Sequence, residues 1–352
     1  MRHLRSLVTA LAVISLLEGA RADSITIEPS QDNTLYESAT GALSNGKGEH
    51  LFCGRRTSNS VRFRRPVIKF DVAASIPAGA RIDSVTLTLN ASRTRGGAST
   101  VELRPLLQSW GEGTSDAPNQ EGGGAGSTTG DATWIHTFFS TGFWTSAGGD
   151  FGAVSASTPV NGSGVYTWGP TASMVSAVQD WLDHPANNFG WILIGDESTP
   201  SVVKRFDSRE NPTPANRPKL TVVFCPPATW SNYGTGLAGT FGIPTITSDA
   251  PPVLCSNITM AVGNSRGAST PAALFLGFAK AQIPSAFGSD LLLVPVRVFS
   301  FTLPAGGASF PFNVICDDAF CGVSIYMQCL EVDPGAIHGV SFTPGIDFDH
   351  GV

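Results

Sequence analysis

Charged side chains are scarce in this sequence: Asp, Glu, Lys and Arg together make up 14% of its residues. The formal net charge is −6. We therefore expect no nucleic-acid partner, because neutralising phosphates requires a net basic face. Glycine and proline are instead abundant, at 39 and 24 residues. This mixture is typical of short strands joined by many turns, and a length of 352 residues favours two domains over one.

The sequence lacks a paired C-x-x-C motif, and no histidine stands at ligand spacing from its six cysteines. It therefore indicates no zinc site of the common kinds. An even number of cysteines in an exported protein instead favours disulfides, with the pairing left open. Four of the six follow Cys225, so we expect the disulfides in the C-terminal part.

Long apolar runs are missing after residue 22, where no stretch approaches the roughly 20 apolar residues of a transmembrane helix. One shorter run, Leu7–Leu17, follows the basic Arg2 and Arg5 and ends in Ala20-Arg21-Ala22. This pattern predicts a signal peptide over residues 1–22, with an uncleaved N-terminal anchor as the alternative. We expect a protein that is secreted or held at the cell surface.

Period-2 alternation dominates the chain between residues 23 and 225. Val85, Leu87 and Leu89 alternate with polar residues, as in a strand with one buried face. Similar segments predict eight strands: Ser24–Ile27, His50–Cys53, Pro66–Phe70, Ser84–Ala91, Thr100–Leu106, Gly190–Ile194, Val202–Phe206 and Lys219–Phe224. Two such faces packed together make a sandwich core.

One segment has helical spacing instead. Thr171 can cap a helix whose apolar positions include Met174, Val178 and Trp181, and Pro185 would end it. Before this helix, a Gly/Ser/Thr-rich stretch from Gly111 to Gly164 carries several aromatic residues and predicts a long binding loop.

A linker is expected at Cys225-Pro226-Pro227, because two prolines interrupt any strand there. Residues 226–352 again read as strands, with Leu291–Phe301 the strongest run. The sequence thus predicts an all-β protein with two β-sandwich, jelly-roll-like domains, 23–225 and 226–352, and one short helix in the first.

Motifs for catalysis are not evident. Gly234-x-Gly236-x-x-Gly239 has the spacing of a dinucleotide loop, but prolines precede it and no helix is expected after it. Asp317 and Asp318 are adjacent and would point to opposite faces of a strand. Glu112 and Asp116 would be either solvated or ligands of a structural calcium ion. We expect no enzymatic activity and no cofactor beyond that calcium; a lyase or hydrolase would need converged carboxylate, His or Tyr groups.

Basic residues concentrate between Arg55 and Arg104, where ten bases accompany three acids. Arginine forks suit carboxylate or sulfate groups, and loop-borne Trp134 and Trp144 could stack on sugar rings. The alternative is that the arginines divide between both faces and pair with acids such as Asp71 and Glu102. The candidate glycan-binding residues are Arg55, Arg62, Arg65, Trp134, Trp144, Arg205 and Arg209.

A family resemblance covers roughly Ser24 to Phe224. The segments that carry it are Asp32–Tyr36, Arg64–Asp71, Ile76–Ala80, Trp110–Gly113, Ala132–Trp134, Gly148–Phe151, Phe206–Glu210 and Arg217–Leu220. In this order and spacing they resemble the DNRLRE domain family, related to carbohydrate-binding module family 96. The resemblance implies a β-sandwich of secreted bacterial proteins and, in the carbohydrate-binding members, affinity for acidic polysaccharide such as alginate. Phe206–Glu210 shares only Ser-Arg-Glu with the eponymous motif.

The second block more loosely resembles a C-terminal domain of secreted planctomycete-type proteins. The carriers are Tyr233–Gly236, Gly239, Gly242, Pro244, Cys321-Gly322, Tyr326, Gln328 and Asp333-Pro334. Leu237 stands where members often have a cysteine, which removes one disulfide that the resemblance implies. Together the observations predict a secreted, non-catalytic protein that binds acidic polysaccharide. The alternative is a structural or adhesive cell-envelope component without a glycan site.

Overall fold

The computed structural model describes residues 23–57 and 61–352. The predicted signal peptide, residues 1–22, lies outside the described residues. The chain divides into two compact units, here called the first unit, Ser24–Phe224, and the second unit, Cys225–Val352. Among the described residues, no helix combines the length and the apolar character needed to cross a membrane.

The first unit is built from strands, as predicted. The described part of it contains β1 Asp23–Ile27, β2 Gln31–Tyr36, β3 Leu43–Ser44, β4 His50–Arg55, β5 Phe63–Lys69, β6 Arg81–Arg95, β7 Ser99–Pro105, β8 Ala125–Gly126, β9 Ala156–Val160, β10 Gly164–Trp168, β11 Trp191–Ile194, β12 Val202–Asp207 and β13 Lys219–Cys225. All eight strands expected from the sequence of this unit are confirmed. The sequence does not predict β2, β3, β8, β9 and β10. In β2 the reason is that Asp32, Asn33 and Thr34 are polar although they are buried.

Eleven strands of the first unit form one sheet, whose main order is β1-β13-β6-β12-β4-β5-β11-β7-β9, and β3 pairs with β8 in a separate two-stranded sheet. β10 pairs with β6, and β2 pairs with β5. The 15-residue β6 turns Val85, Leu87 and Leu89 inward. They meet Trp168 and Trp191 in a core that is closed to solvent. The all-β, sandwich class predicted from the alternation is confirmed.

The single α-helix described in the first unit, α1, spans Ala172–Asp183. Thr171 is its N-cap, and the Thr171 hydroxyl accepts a hydrogen bond from the Met174 amide at 3.1 Å. Met174, Val178 and Trp181 lie in the core beside β6. The predicted position, cap and buried face of this helix are confirmed.

The segment between β7 and β9 is mostly irregular but is not loose. It forms a second, smaller core with β2, β5 and β11, whose buried residues include Trp110, Trp134 and Trp144. Buried polar residues of β2 hold it in place: the Asn33 side-chain amide donates to the Glu112 carbonyl at 2.8 Å. The predicted loop is therefore part of the scaffold.

The second unit is also all-β. Its strands are β14 Thr229–Tyr233, β15 Ile246–Ser248, β16 Asn257–Val262, β17 Thr270–Gly277, β18 Lys280–Pro284, β19 Asp290–Leu293, β20 Arg297–Leu303, β21 Ala308–Asn313, β22 Ser324–Val332, β23 Val340–Phe342 and β24 Gly345–Asp349. The sheet β14-β24-β22-β17-β20, with β23 beside β22, packs on the sheet β15-β16-β21. Between them lies a core that includes Met260, Leu303 and Ile346.

Two findings in the second unit bear on the sequence predictions. The predicted strand Leu291–Phe301 is wrong as one element: it is interrupted at 294–296, where Pro295 supplies no amide hydrogen. Its halves, β19 and β20, belong to different sheets. The expected concentration of disulfides is confirmed, because the bonds are Cys225–Cys321 and Cys255–Cys316. Cys53 and Cys329 are free and buried.

Candidate functional site

Two arginines stand directly opposite each other on the outer face of the first unit. Arg205 of β12 is paired in register with Arg93 of β6. Directly paired residues of antiparallel strands share a face, and like charges there repel. Both guanidinium groups donate to one neutral acceptor, the Gln120 Oε1, at 3.2 Å from Arg93 and 2.9 Å from Arg205. No carboxylate forms a salt bridge with either cation in the described part of the chain.

Further arginines extend this basic surface. Arg95 lies two residues from Arg93 on β6, which places both on one face, and it is exposed. Arg56 follows β4 and is also exposed. Neither forms a salt bridge with a described residue.

Arg64 is a buried cation at the same surface. It is 2% exposed and lies over the rings of Tyr36 and Phe52, at 5.7 and 5.8 Å from their centroids. Phe52 is the register partner of Arg205. The Arg64 guanidinium donates to the Gly122 carbonyl, while its Nε has no partner among the described residues.

We call Arg56, Arg64, Arg93, Arg95 and Arg205 the arginine face. Burial lowers the pKa of Arg64 to about 10, so its guanidinium remains charged at neutral pH. Burial also lowers the pKa of Arg205; Asp207 opposes this change and the neighbouring Arg93 cation adds to it. Charged guanidinium groups that lack a carboxylate partner can bind anions by donating charge-assisted hydrogen bonds, although Arg205 also donates to the Ser92 hydroxyl at 3.1 Å.

Arg62 and Arg65, two predicted site residues, are held by carboxylates. Arg62 pairs with Glu37 at 3.2 Å. Arg65 makes a two-pronged ion pair with Glu197, at 2.7 and 2.8 Å, and covers the Trp134 ring at 4.8 Å. Both guanidinium groups are therefore already neutralised by carboxylates of the protein.

Arg55 and Arg209 also bind groups within the first unit. The Arg55 guanidinium donates to the Ser198 carbonyl at 2.7 Å. Arg209 donates to Glu112 at 2.8 Å and to Glu210 at 3.0 Å. Of the five predicted arginines, only Arg205 belongs to the arginine face. A glycan-binding role for the other four stays a prediction.

Trp134 and Trp144 differ from their expected positions. They are 8% and 6% exposed and pack in the smaller core of the first unit. The Trp144 Nε1 donates to the Thr133 carbonyl at 2.9 Å, so its polar atom is also directed inward. Their local sequence is loop-like, but the loop folds over β5 and β11 and buries them. In this conformation neither ring presents an open face for a sugar.

Glu112, one of the two residues considered as calcium ligands, lies in an acidic cluster. Carboxylate oxygens of Asp32, Glu112 and Glu210 lie within 4.8 Å of one another. Burial and the neighbouring Glu210 carboxylate raise the pKa of Asp32 well above its usual range. Arg209 and Lys47 already pair with Glu112 and Glu210. The cluster is thus an internal ion network with its own cations, and the exposed Asp116 belongs to no such group in the described chain.

The site residues predicted from the sequence do not include Arg93, Arg95, Arg64 or Gln120. Arg93-Thr94-Arg95 does carry a local signal, because alternate residues of a strand share a face. The register of β6 against β12 brings Arg205 opposite Arg93, and this pairing joins residues 112 positions apart. Gln120 enters through the irregular segment and gives no local signal.

Comparisons with known proteins identify no family. No protein-family model matches the chain, and no curated protein matches it. One similar solved structure is Bacteroides uniformis beta-glucuronidase 2 covalently bound to cyclophellitol-6-carboxylate aziridine, at 8% identity and a TM-score of 0.14, covering 90% of this chain and 32% of that chain. Another is a glycosyl hydrolase family 2 member from Bacteroides cellulosilyticus DSM 14838, at 6% identity and a TM-score of 0.15, covering 91% and 36%. The chain spans about a third of each neighbour's length, and we base no functional inference on such low TM-scores.

Proposed function

We propose that this protein is an extracellular, non-catalytic binding protein whose first unit holds an acidic polysaccharide on the arginine face. The observation that carries the proposal is the facing pair Arg93 and Arg205, two cations that share one neutral acceptor. A carboxylate or sulfate group between them would relieve their repulsion and accept hydrogen bonds from both.

Two further observations support this proposal. The resemblance of Ser24–Phe224 to the DNRLRE family points to acidic glycans. The extracellular part of the proposal is supported by two disulfides, which persist in oxidising compartments.

The test is affinity electrophoresis of the full chain through gels that contain alginate, pectin, sulfated fucan or neutral glucan. We expect retardation by the acidic glycans only, weakened by salt because salt screens exposed charges. Replacing Arg93 and Arg205 by Gln should weaken binding by about tenfold or more, since hydrogen bonds to charged groups contribute roughly 1.5–3 kcal/mol.

The matched control replaces Arg81 and Arg104 by Gln, which also removes two cations, each of them paired with an acid of the protein at 2.8 Å. It should leave the retardation nearly unchanged. Equal loss in the control and in the variant of Arg93 and Arg205 would indicate a nonspecific charge effect and contradict a site on the arginine face. Free migration on every gel would overturn the glycan proposal and favour the structural or adhesive alternative.

A further inference from the structure

The second unit has an open sheet edge at β20. This strand ends the order β14-β24-β22-β17-β20, so it is paired with β17 on one side only. Among the described residues, no backbone hydrogen bond outside the ladder with β17 involves Val298, Ser300 or Thr302. These three residues are also exposed. An edge strand of this kind presents unpaired amide and carbonyl groups to another chain.

The pairing of β17 determines which backbone groups of β20 point outward. Leu274 of β17 is opposite Cys329 of β22, whose amide and carbonyl both bond to Thr343, on the side away from β17, at 2.9 Å. The backbone groups of Leu274 therefore point the other way, toward its partner Phe299 on β20. Because successive residues of a strand alternate, every second residue of β20 has its amide and carbonyl at the free edge. These residues are Val298, Ser300 and Thr302.

The neighbouring edge strand, β21, is protected against such pairing. It ends the sheet β15-β16-β21 and contains Pro311, opposite Thr259 of β16. The Thr259 carbonyl accepts from the Asp249 amide, on the side away from β21, so Pro311 and Thr259 do not exchange hydrogen bonds. The proline nitrogen, which carries no hydrogen, therefore faces the free edge and hinders the addition of a strand. β20 contains no proline.

The order of side chains in β20 is nearly symmetric about Ser300. Phe299 and Phe301 flank it, and the β-branched Val298 and Thr302 follow on either side. If two copies pair antiparallel with Ser300 opposite Ser300, each Phe299 meets a Phe301 and each Val298 meets a Thr302. The outward-facing backbone groups then exchange hydrogen bonds in pairs. Cross-strand pairs of aromatic and β-branched side chains stabilise such a sheet, so this edge is complementary to itself.

The charge and the exposed apolar side chains around this edge also favour a second copy. The chain from Val298 to Asn313, which contains most of β20 and all of β21, has no charged residue. Two copies of a protein with a net charge of −6 can therefore approach here without placing like charges opposite each other. Val294, Val296 and Val298 are 46%, 54% and 50% exposed. A partner that covers such side chains removes apolar surface from water.

We propose that β20 is a dimerisation edge, at which two copies of the chain pair antiparallel about a two-fold axis at Ser300. The sheet β14-β24-β22-β17-β20 of one copy then continues into the same sheet of the other. A two-fold contact of this kind is closed, because each edge is occupied by its partner. The edge lies in the second unit, and the inference does not depend on the glycan proposal.

The test is sedimentation equilibrium of the full chain at concentrations up to about 100 µM. We expect a reversible monomer–dimer equilibrium with a Kd on the order of 10 µM, because a single pair of strands is at the low end of specific interface sizes. Ser300→Lys should weaken association about fivefold or more, since it places two cations opposite each other at the axis. The matched control, Ser309→Lys, adds the same charge to an exposed position of β21 and should change Kd by about twofold or less.

A single cysteine tests the register of the two copies. Opposite residues of a hydrogen-bonded antiparallel pair have Cα atoms about 5.5 Å apart, within the range of a disulfide. Oxidised Ser300→Cys should therefore run as a covalent dimer on a non-reducing gel. In the control Val298→Cys, the two cysteines would stand about 13 Å apart, because four residues separate them along the strands, and the protein should run as a monomer.

A parent chain that stays monomeric at about 100 µM would contradict the proposal. A dimer that Ser300→Cys does not cross-link, or that Ser309→Lys weakens as much as Ser300→Lys, would use another surface and would also contradict it. If the variants at Ser300 do not fold, hydrogen exchange of the parent decides the question. The amides of Val298, Ser300 and Thr302 should exchange more slowly in a concentrated sample than in a dilute one, and equal rates would reject the dimer edge.

Discussion

The first and second units are both β-sandwiches, but different interactions hold them together. No disulfide joins two described residues of Ser24–Phe224, and the first unit relies on a large core in which Trp168 and Trp191 are fully buried. The second unit has a smaller core and two disulfides. Because a larger core removes more apolar surface from water, it reduces the need for covalent cross-links.

The units also treat buried charge differently. In the first unit, Asp32 belongs to a network with side-chain cations, and Glu121 accepts hydrogen bonds on both of its oxygens. In the second unit, Glu331 is buried with no cation and one unpartnered oxygen. The difference is one of counter-ions: Arg209 pairs with the carboxylates around Asp32, whereas no described salt bridge reaches Glu331. The four predictions below test this contrast, from the largest expected effect to the smallest.

Trp144→Ala should destabilise the first unit by roughly 3–5 kcal/mol, because it leaves a cavity and an unpaired Thr133 carbonyl. Urea unfolding of the full chain measures the loss. The neighbouring Phe143 is 61% exposed, so Phe143→Ala should cost about 1 kcal/mol or less. If Trp144→Ala kept the parent's stability and lost only glycan retardation, the sugar-stacking interpretation would be restored.

Replacing both Cys255 and Cys316 by Ser should cost about 2–4 kcal/mol, because the unfolded chain regains the freedom that the cross-link removed. The loss should be confined to the second unit. Hydrogen exchange resolved by peptide measures this: amides of β16 and β21 should exchange faster, while amides of β6 and β12 remain unchanged. Equal acceleration in both units would show that their stabilities are not separate.

Thr171→Ala should destabilise the first unit by about 1 kcal/mol, since it removes the N-cap acceptor of α1. Thr171→Ser keeps the hydroxyl and should recover most of the loss. Urea midpoints of the three proteins give the comparison. A loss as large with Ser as with Ala would assign the effect to packing of the methyl group instead of the cap.

Glu121 should give the first unit a small acid sensitivity. Burial raises the pKa of Glu121, but hydrogen bonds from His50, Asn45 and the Glu49 amide outweigh burial, so the pKa lies below its usual value. A lowered pKa in the folded state contributes stability above the unfolded pKa of about 4.3, and that stability is lost as pH falls through the folded pKa. Glu121→Gln should therefore flatten the decline in stability of the full chain below pH 4.3. An unchanged acid slope in this variant would contradict the assignment.

The sequence predicts the elements whose signal is local. The spacing of Met174, Val178 and Trp181 is enough to define α1, and the alternation at Val85–Leu89 is enough to define β6. Leu291–Phe301 is wrongly predicted as one strand because the run is strongly apolar and only one residue, Pro295, signals the interruption. A local pattern shows which side chains are apolar, but it does not show which neighbouring strand they meet.

The candidate site depends on non-local packing, and this limits its prediction. Trp144 and Phe143 are adjacent aromatic residues in the same irregular segment, yet one is buried and the other is exposed. Arg205 and Arg209 are four residues apart, yet one shares a neutral acceptor with Arg93 and the other lies in an ion network. Only the fold of the whole first unit separates these cases.

The position of β13 has a consequence for how the first unit acquires its structure. This last strand lies between β1, the first strand, and β6 in the order of the sheet. Until residues near Phe224 have left the ribosome, the partner that joins β1 to β6 does not exist, and the sheet cannot close. Contacts this distant in sequence are formed slowly, and unfinished sheets expose edges that aggregate. The nascent first unit should therefore stay unfolded through almost its whole synthesis. Chaperones could then bind the unfolded chain until the last strand is available.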